Sequence, residues 1–329
     1  MKYSKISFIL FFLIIFIVSC GGGGESSVTT NPPTPAVKVE SDLKLAGFPH
    51  QIDIYNTSAA NKAVVFLHGG GGLKYEFAFE LGLNLVDEPP TTASVNWAWL
   101  NTNKILAVFP QGQAIPAAPS AYTWDNHVMV SGEDDTAFLQ SLAGYIKSQY
   151  GISDIYLAGH SNGGMMVNRF WCESPDTFKA YISLSGPASS YYLPSGSTPC
   201  KPGITKPYYG IVGGQDNVLQ VAGNWDKPTW TLSPSMINST NSPAYVDPIS
   251  TIFIGEWSSQ QLIRSPLMCN EAPVLADGIS NGVIATWNNC NGRLKLQEVL
   301  LGAHTIGSLE TQSGQKMRDL IMLFINQLQ

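Results

Sequence analysis

The chain has 329 residues, 44% of them hydrophobic and only 13% charged, with a formal net charge of -6. This length and apolar content exclude a disordered chain and allow a full globular core. A mildly acidic sequence without a cluster of Lys or Arg argues against nucleic acid as a partner.

In chain order, Lys2 and Lys5 precede an unbroken apolar run over residues 8–18, which ends at Ser19 and Cys20. A positive start followed by a short apolar run reads as a secretory signal, and the run is short for a membrane span. Cys20, after a small residue and before Gly21, resembles the bacterial lipobox cysteine that becomes the lipid-bearing first residue after cleavage. Residues 1–20 are therefore expected to be a lipoprotein signal segment and residues 21–36, rich in Gly, Ser, Thr and Pro, a flexible tether. Residues 37–329 are expected to form a single domain, exported to the cell envelope or beyond and held at the membrane through the lipid on Cys20.

Within that domain, residues 42–45 and 51–55 read as two short antiparallel strands. Residues 63–67 are a continuous apolar run that stops at His68, Gly69, Gly70, Gly71 and Gly72. Residues 105–109 and 155–158 are further apolar strands, and residues 180–184, 208–212 and 296–301 also read as strands. Residues 134–150 have helical spacing, with Phe138, Leu139, Leu142, Ala143, Tyr145 and Ile146 on one broad face; residues 163–172 and 317–328 read as two more helices. Apolar strands alternating with helices imply an α/β fold, a mainly parallel sheet with helices on both faces and its site at the C-terminal ends of the strands. The segment 217–284, rich in Trp, Ser, Pro and Asn, is the least regular and reads as a cap beside the site.

Gly159-His160-Ser161-Asn162-Gly163 lies between the apolar strand at 155–158 and the helix at 163–172. A bare Gly-x-Ser-x-Gly arises by chance, but between a buried strand and a helix it is the nucleophile elbow of the α/β-hydrolase fold. Ser161 is the expected nucleophile. It needs a base, and in this fold the chain order is serine, acid, histidine. His304 is the histidine that follows Ser161, placed just past the strand at 296–301; His127, in a loop, is a competitor, and His160 is expected to point away from the nucleophile. Asp216 follows the strand at 208–212 directly, unlike Asp226, Asp247 and Asp277, and is the expected acid. Backbone amides of Asn162 and of the glycine run, Gly70 first and Gly71 second, are expected to hold the oxyanion. Tyr122 and Trp124 are expected to offer an apolar or stacking surface to substrate, the alternative being ordinary packing. The chemistry requires no metal and no organic cofactor.

Setting Cys20 aside leaves Cys172, Cys200, Cys269 and Cys290, which in an oxidising compartment allow three pairings. The two sequential pairs, Cys172–Cys200 and Cys269–Cys290, are favoured.

Together these residues resemble the poly(3-hydroxybutyrate) depolymerase and feruloyl esterase-like group of α/β hydrolases. The segments that carry the resemblance are Phe66-Leu67-His68-Gly69, Tyr122-Thr123-Trp124-Asp125, Asp134-Asp135-Thr136-Ala137, the elbow and Gly302-Ala303-His304-Thr305. The resemblance implies a triad of Ser161, Asp216 and His304 acting on carboxylic esters, polymeric or polysaccharide-linked ones included. The chain departs from the family at Gly213, where a His is frequent, and at Ile306-Gly307, where Trp-Pro-Gly is frequent. Two other readings use the same residues: a serine peptidase, and a surface-binding lipoprotein that kept the fold without the chemistry.

Overall fold

The computed structural model of the chain describes residues 36–115, 118–127, 129–186, 188–189, 192, 200, 206–216, 219–222, 229–232, 245–246, 279–289 and 292–329. The expected signal segment with Cys20, nearly all of the tether, Cys269 and Cys290 lie outside these residues.

The chain opens with β1 (Val37–Leu43) antiparallel to β2 (Ile52–Thr57), a hairpin that begins earlier than the apolar pattern indicates. β3 (Lys62–Leu67) follows, then two one-to-two-turn helices, α1 (Lys74–Glu80) and α2 (Trp97–Asn103). Next come β4 (Ile105–Pro110) and a small hairpin of β5 (Gln113–Ile115) with β6 (Ala118–Thr123). α3 (Asp135–Tyr150) starts where the Asp134 side chain accepts the Ala137 N–H at 2.9 Å and stops at Gly151, whose φ of 68° suits a residue without a Cβ. β7 (Ile155–His160) and α4 (Asn162–Glu173) enclose Ser161. They are followed by β8 (Tyr181–Leu184), β9 (Ala188–Ser189) and β10 (Tyr208–Gly213). The segment read from sequence as irregular contains short strands: β11 (Leu219–Ala222) pairs with β12 (Thr229–Leu232), and β13 (Tyr245–Val246) pairs with β9. β14 (Ile279–Ser280), β15 (Ile284–Asn289) and β16 (Leu294–Val299) precede α5 (Ile306–Ser313) and α6 (Met317–Gln327).

Ten strands form one sheet in the order β1-β2-β4-β3-β7-β8-β10-β16-β15-β14. From β4 to β16 every neighbouring pair is parallel, and the strands outside that block run antiparallel to their neighbours. Because successive side chains leave a strand on opposite faces, each parallel strand feeds two cores. Ala63, Val65 and Leu67 of β3 join Leu139 of α3 and Phe170 of α4 on one face. Val64 and Phe66 join Phe77 of α1, Leu309 of α5 and Phe324 of α6 on the other. Full burial of each large apolar side chain stabilises by roughly 1.5–3 kcal/mol relative to exposure, so both helical layers clamp the sheet. Cys172, at the end of α4, is disulfide-bonded to Cys200.

Candidate active site

Ser161, Asp216 and His304 follow β7, β10 and β16, three strands of the parallel block, so the topology delivers all three to the same C-terminal edge of the sheet. Ser161 takes φ 52° and ψ -116°, a strained conformation that lifts its hydroxyl out of the strand-to-helix turn. The turn is so tight that side chains at its glycines have no room: a Cβ on Gly159 would sit 2.4 Å from the Gly163 carbonyl, and one on Gly163 would sit 2.3 Å from the Leu67 oxygen.

The Ser161 hydroxyl lies 2.8 Å from His304 Nε2, and His304 Nδ1 lies 2.8 Å from Asp216 Oδ2. Asp216 is fully buried on its side chain, whereas His304 keeps 13% of its side chain exposed. A carboxylate can only accept, so Nδ1 carries the proton, and Nε2 is left as an acceptor facing Ser161. This places the imidazole where it can take the serine proton and have its resulting charge stabilised. The acid turn and the histidine loop are stitched together by Gly214 N–H to the Val299 carbonyl and Gln215 N–H to the Gly302 carbonyl, both 2.8 Å. A Cβ on Gly213 would fall 2.2 Å from the Gly302 oxygen, which accounts for the absence of a side chain at this position. His127 sits at the opposite end of α4 from Ser161, where it pairs with Glu173.

The glycine run lies beside the elbow. The Gly71 N–H is occupied by the Tyr122 carbonyl at 2.7 Å, and the Gly72 N–H bonds the Gly69 carbonyl at 3.1 Å. Among the described residues, the backbone N–H groups of Gly70 and of Asn162, the latter at the first turn of α4, have no hydrogen-bond partner. Of the two glycines considered for an oxyanion site, Gly70 is thus the one with its donor available. His68 holds the run in place. Its Nδ1 donates to the Gly69 carbonyl at 2.7 Å, and its Nε2 accepts the Gly112 N–H at 2.9 Å. Burial pushes the His68 pKa down to about 4, so the ring is neutral and this tautomer persists at neutral pH.

Trp124 requires a correction. It is fully buried in the core, its indole N–H donates to the His68 carbonyl at 3.1 Å, and its backbone N–H donates to Asn162 Oδ1 at 2.8 Å. It braces the glycine loop and the elbow from behind and presents no surface to a substrate. Tyr122 is half-buried on β6, and its backbone carbonyl accepts from the loop at Gly71.

A cleft of about 360 Å3 opens in front of Ser161 and His304. One wall comes from α1 and the residue before it: Leu73, Glu76, Phe77 and Glu80. This wall was missed in the sequence because a seven-residue helix has too few repeats to stand out. The spacing of Leu73, Phe77 and Leu81 is the signal that could have found it. Among the described residues, no group of His, Cys, Asp and Glu is arranged to hold a metal ion.

No family model and no curated relative matches the sequence. Solved structures do match. An acetyl xylan esterase from Aspergillus awamori superposes with a TM-score of 0.53 at 14% identity, over 89% of this chain and 99% of that one. An S-formylglutathione hydrolase from Agrobacterium tumefaciens gives 0.50 at 12% identity, over 91% and 98%. The fold is that of the α/β hydrolases. The mainly parallel sheet and the helices on its two faces are those the alternating pattern predicts. At these identities the likeness concerns the fold, and what the site does rests on its own geometry.

Proposed function

We propose that the chain is a serine carboxylic ester hydrolase, related to the poly(3-hydroxybutyrate) depolymerase and feruloyl esterase-like group, that is exported and anchored by a lipid on Cys20 or released outside the cell. Residues 1–20 would be its signal segment, residues 21–36 its tether, and residues 37–329 its single catalytic domain, with Cys269 and Cys290 as a second disulfide. The observation that carries the catalytic reading is the pair of 2.8 Å bonds that sets His304 between Ser161 and Asp216 at the floor of an open cleft.

In this mechanism Ser161 Oγ attacks the ester carbonyl as His304 Nε2 takes its proton. Asp216 stabilises the imidazolium, and the amides of Asn162 and Gly70 receive the tetrahedral oxyanion. His304 then returns the proton to the leaving alcohol, forming the acyl-enzyme. A water deprotonated by the same imidazole attacks that acyl carbon and releases the acid and the free serine. The ester would be polyester or polysaccharide-linked, the latter being the kind of substrate named for the Aspergillus awamori enzyme.

The test is hydrolysis of p-nitrophenyl acetate to octanoate and ferulate by the full chain and by Ser161→Ala, with a matched anilide beside one ester. Wild-type turnover of esters that falls by about 10^4-fold or more in Ser161→Ala is the expected result. Undiminished activity in that variant, or an anilide cleaved faster than its ester, would overturn the reading.

A further inference from the structure

His160 ends β7, immediately before the nucleophile, and the sequence places it facing away from the site. Its ring instead reaches the histidine loop and lines the cleft. Its Nε2 lies 2.8 Å from the backbone carbonyl of His304, 144 positions later in the chain, and the two rings are 5.2 Å apart. Phe77 of α1 stacks against it at 6.2 Å. A carbonyl can only accept, so His160 Nε2 carries the proton and donates. Burial and the neighbouring His304 push the His160 pKa down to about 4, which keeps the ring neutral.

The bond has a particular place in the loop. Gly302 is tied through its carbonyl to Gln215 N–H at 2.8 Å, and the Ala303 N–H donates to Ser308 Oγ at 2.9 Å. Those contacts hold the residues leading into His304. The backbone carbonyl of His304 is held by His160, so the strand that presents the nucleophile also grips the base that activates it.

We propose that His160 is a positioning residue, whose Nε2–H fixes the backbone of His304 and thereby keeps the imidazole aligned on Ser161 Oγ. This inference rests on the esterase reading above. Its cost when lost is geometric: displacing a reacting group by about 1 Å can lower the rate by about 100-fold.

The experiment compares His160→Phe, which keeps an aromatic ring without the donor, with His160→Gln, whose amide N–H has similar reach. His160→Leu is measured alongside, so that a misfolded Phe variant leaves the comparison standing. Each full-length protein is assayed for kcat and KM on p-nitrophenyl acetate and for its thermal unfolding midpoint. The downfield proton resonance of the His304–Asp216 bond is recorded as well. His160→Phe and His160→Leu are expected to lose about 10- to 100-fold in kcat with KM nearly unchanged, and to shift or broaden that resonance. His160→Gln is expected to recover most of the kcat and the resonance. Wild-type kcat in the Phe and Leu variants would overturn the proposal. So would equal losses in all three variants that follow their unfolding midpoints, because His160 would then be a packing residue. If the wild type hydrolyses no ester, or Ser161→Ala stays active, the esterase reading itself falls. A Ser161-dependent esterase indifferent to His160→Phe removes this inference alone.

Discussion

Two clusters in this molecule are built from the same three residue types, a serine, a histidine and an aspartate. At the sheet edge the imidazole of His304 stands between the Ser161 hydroxyl and the Asp216 carboxylate, beside an open cleft. Under the N-terminus of α3 the order differs: Asp135 stands in the middle. Its Oδ1 lies 2.6 Å from His50 Nε2, and its Oδ2 accepts from Ser131 Oγ at 2.8 Å and from the Asp125 N–H at 2.6 Å. The side chains of His50 and Asp135 are 0% exposed, and the His50 ring stacks on Phe138 with centroids 3.8 Å apart. In this second cluster the serine never touches the base and no substrate can enter, so its polar groups anchor a loop. Composition does not make a catalytic site. The imidazole must lie between hydroxyl and carboxylate, and space must remain in front of the hydroxyl.

The contrast is sharpest in paired asparagine substitutions. Asp216→Asn is expected to lower kcat by about 10^4-fold while leaving the unfolding midpoint close to wild type, because it spoils the His304 tautomer without opening the core. Asp135→Asn is expected to do the reverse, costing about 2–3 kcal/mol of stability because one buried acceptor oxygen becomes an N–H donor facing groups that bonded the carboxylate, with far smaller effects on kcat in the folded fraction. Turnover and urea unfolding measured on both variants check this. Loss of turnover at unchanged stability in Asp135→Asn would mean that the roles of the two clusters have been read the wrong way round.

A smaller effect separates the neutral histidines at the site from ordinary surface ones. His68 and His160 are held down to a pKa of about 4, mainly by burial, against about 6.5 in an unfolded chain. Between those values the unfolded state binds the extra protons. The stabilising contribution is therefore complete above about pH 6.5 and is lost progressively as the pH falls towards 4, by roughly 1–3 kcal/mol for each ring. Urea midpoints recorded from pH 7.5 to 4 should decline through this window, and the decline should lessen in His68→Asn after correction for its lower stability at pH 7.5. A midpoint independent of pH over that range would place both rings in contact with water.

The smallest effect distinguishes bracing from substrate binding at the aromatic residue that joins the regions. Trp124→Phe removes the indole donor from the buried His68 carbonyl and is expected to cost about 1–2 kcal/mol of stability with KM unchanged. A raised KM at full stability would restore the stacking surface anticipated for Trp124.

Much of this architecture was legible in the order of residues. The apolar run before His68, the strand and helix around Ser161, and the helix after Asp134 carry strong local signals, because a buried parallel strand must be apolar throughout and a capped amphipathic helix repeats its face every turn. Chain order was enough to select Asp216 and His304, since Asp216 follows the apolar strand at 208–212 and His304 is the histidine that comes after Ser161. The short elements were not legible: α1 and α2 are seven residues each, and β15 lies outside the strongest hydrophobic runs.

The sequence by itself therefore determined the fold class, the elbow and the three residues brought to the sheet edge, because these depend on local periodicity and on topology that admits few alternatives. The tertiary structure alone decided which glycine amide is left available, that Trp124 packs inward, that α1 walls the cleft, and that His160 grips the loop of His304. Those outcomes depend on which donors have already found partners and on side chains meeting across 50 to 150 positions of chain, and no periodicity or spacing along the sequence encodes such meetings.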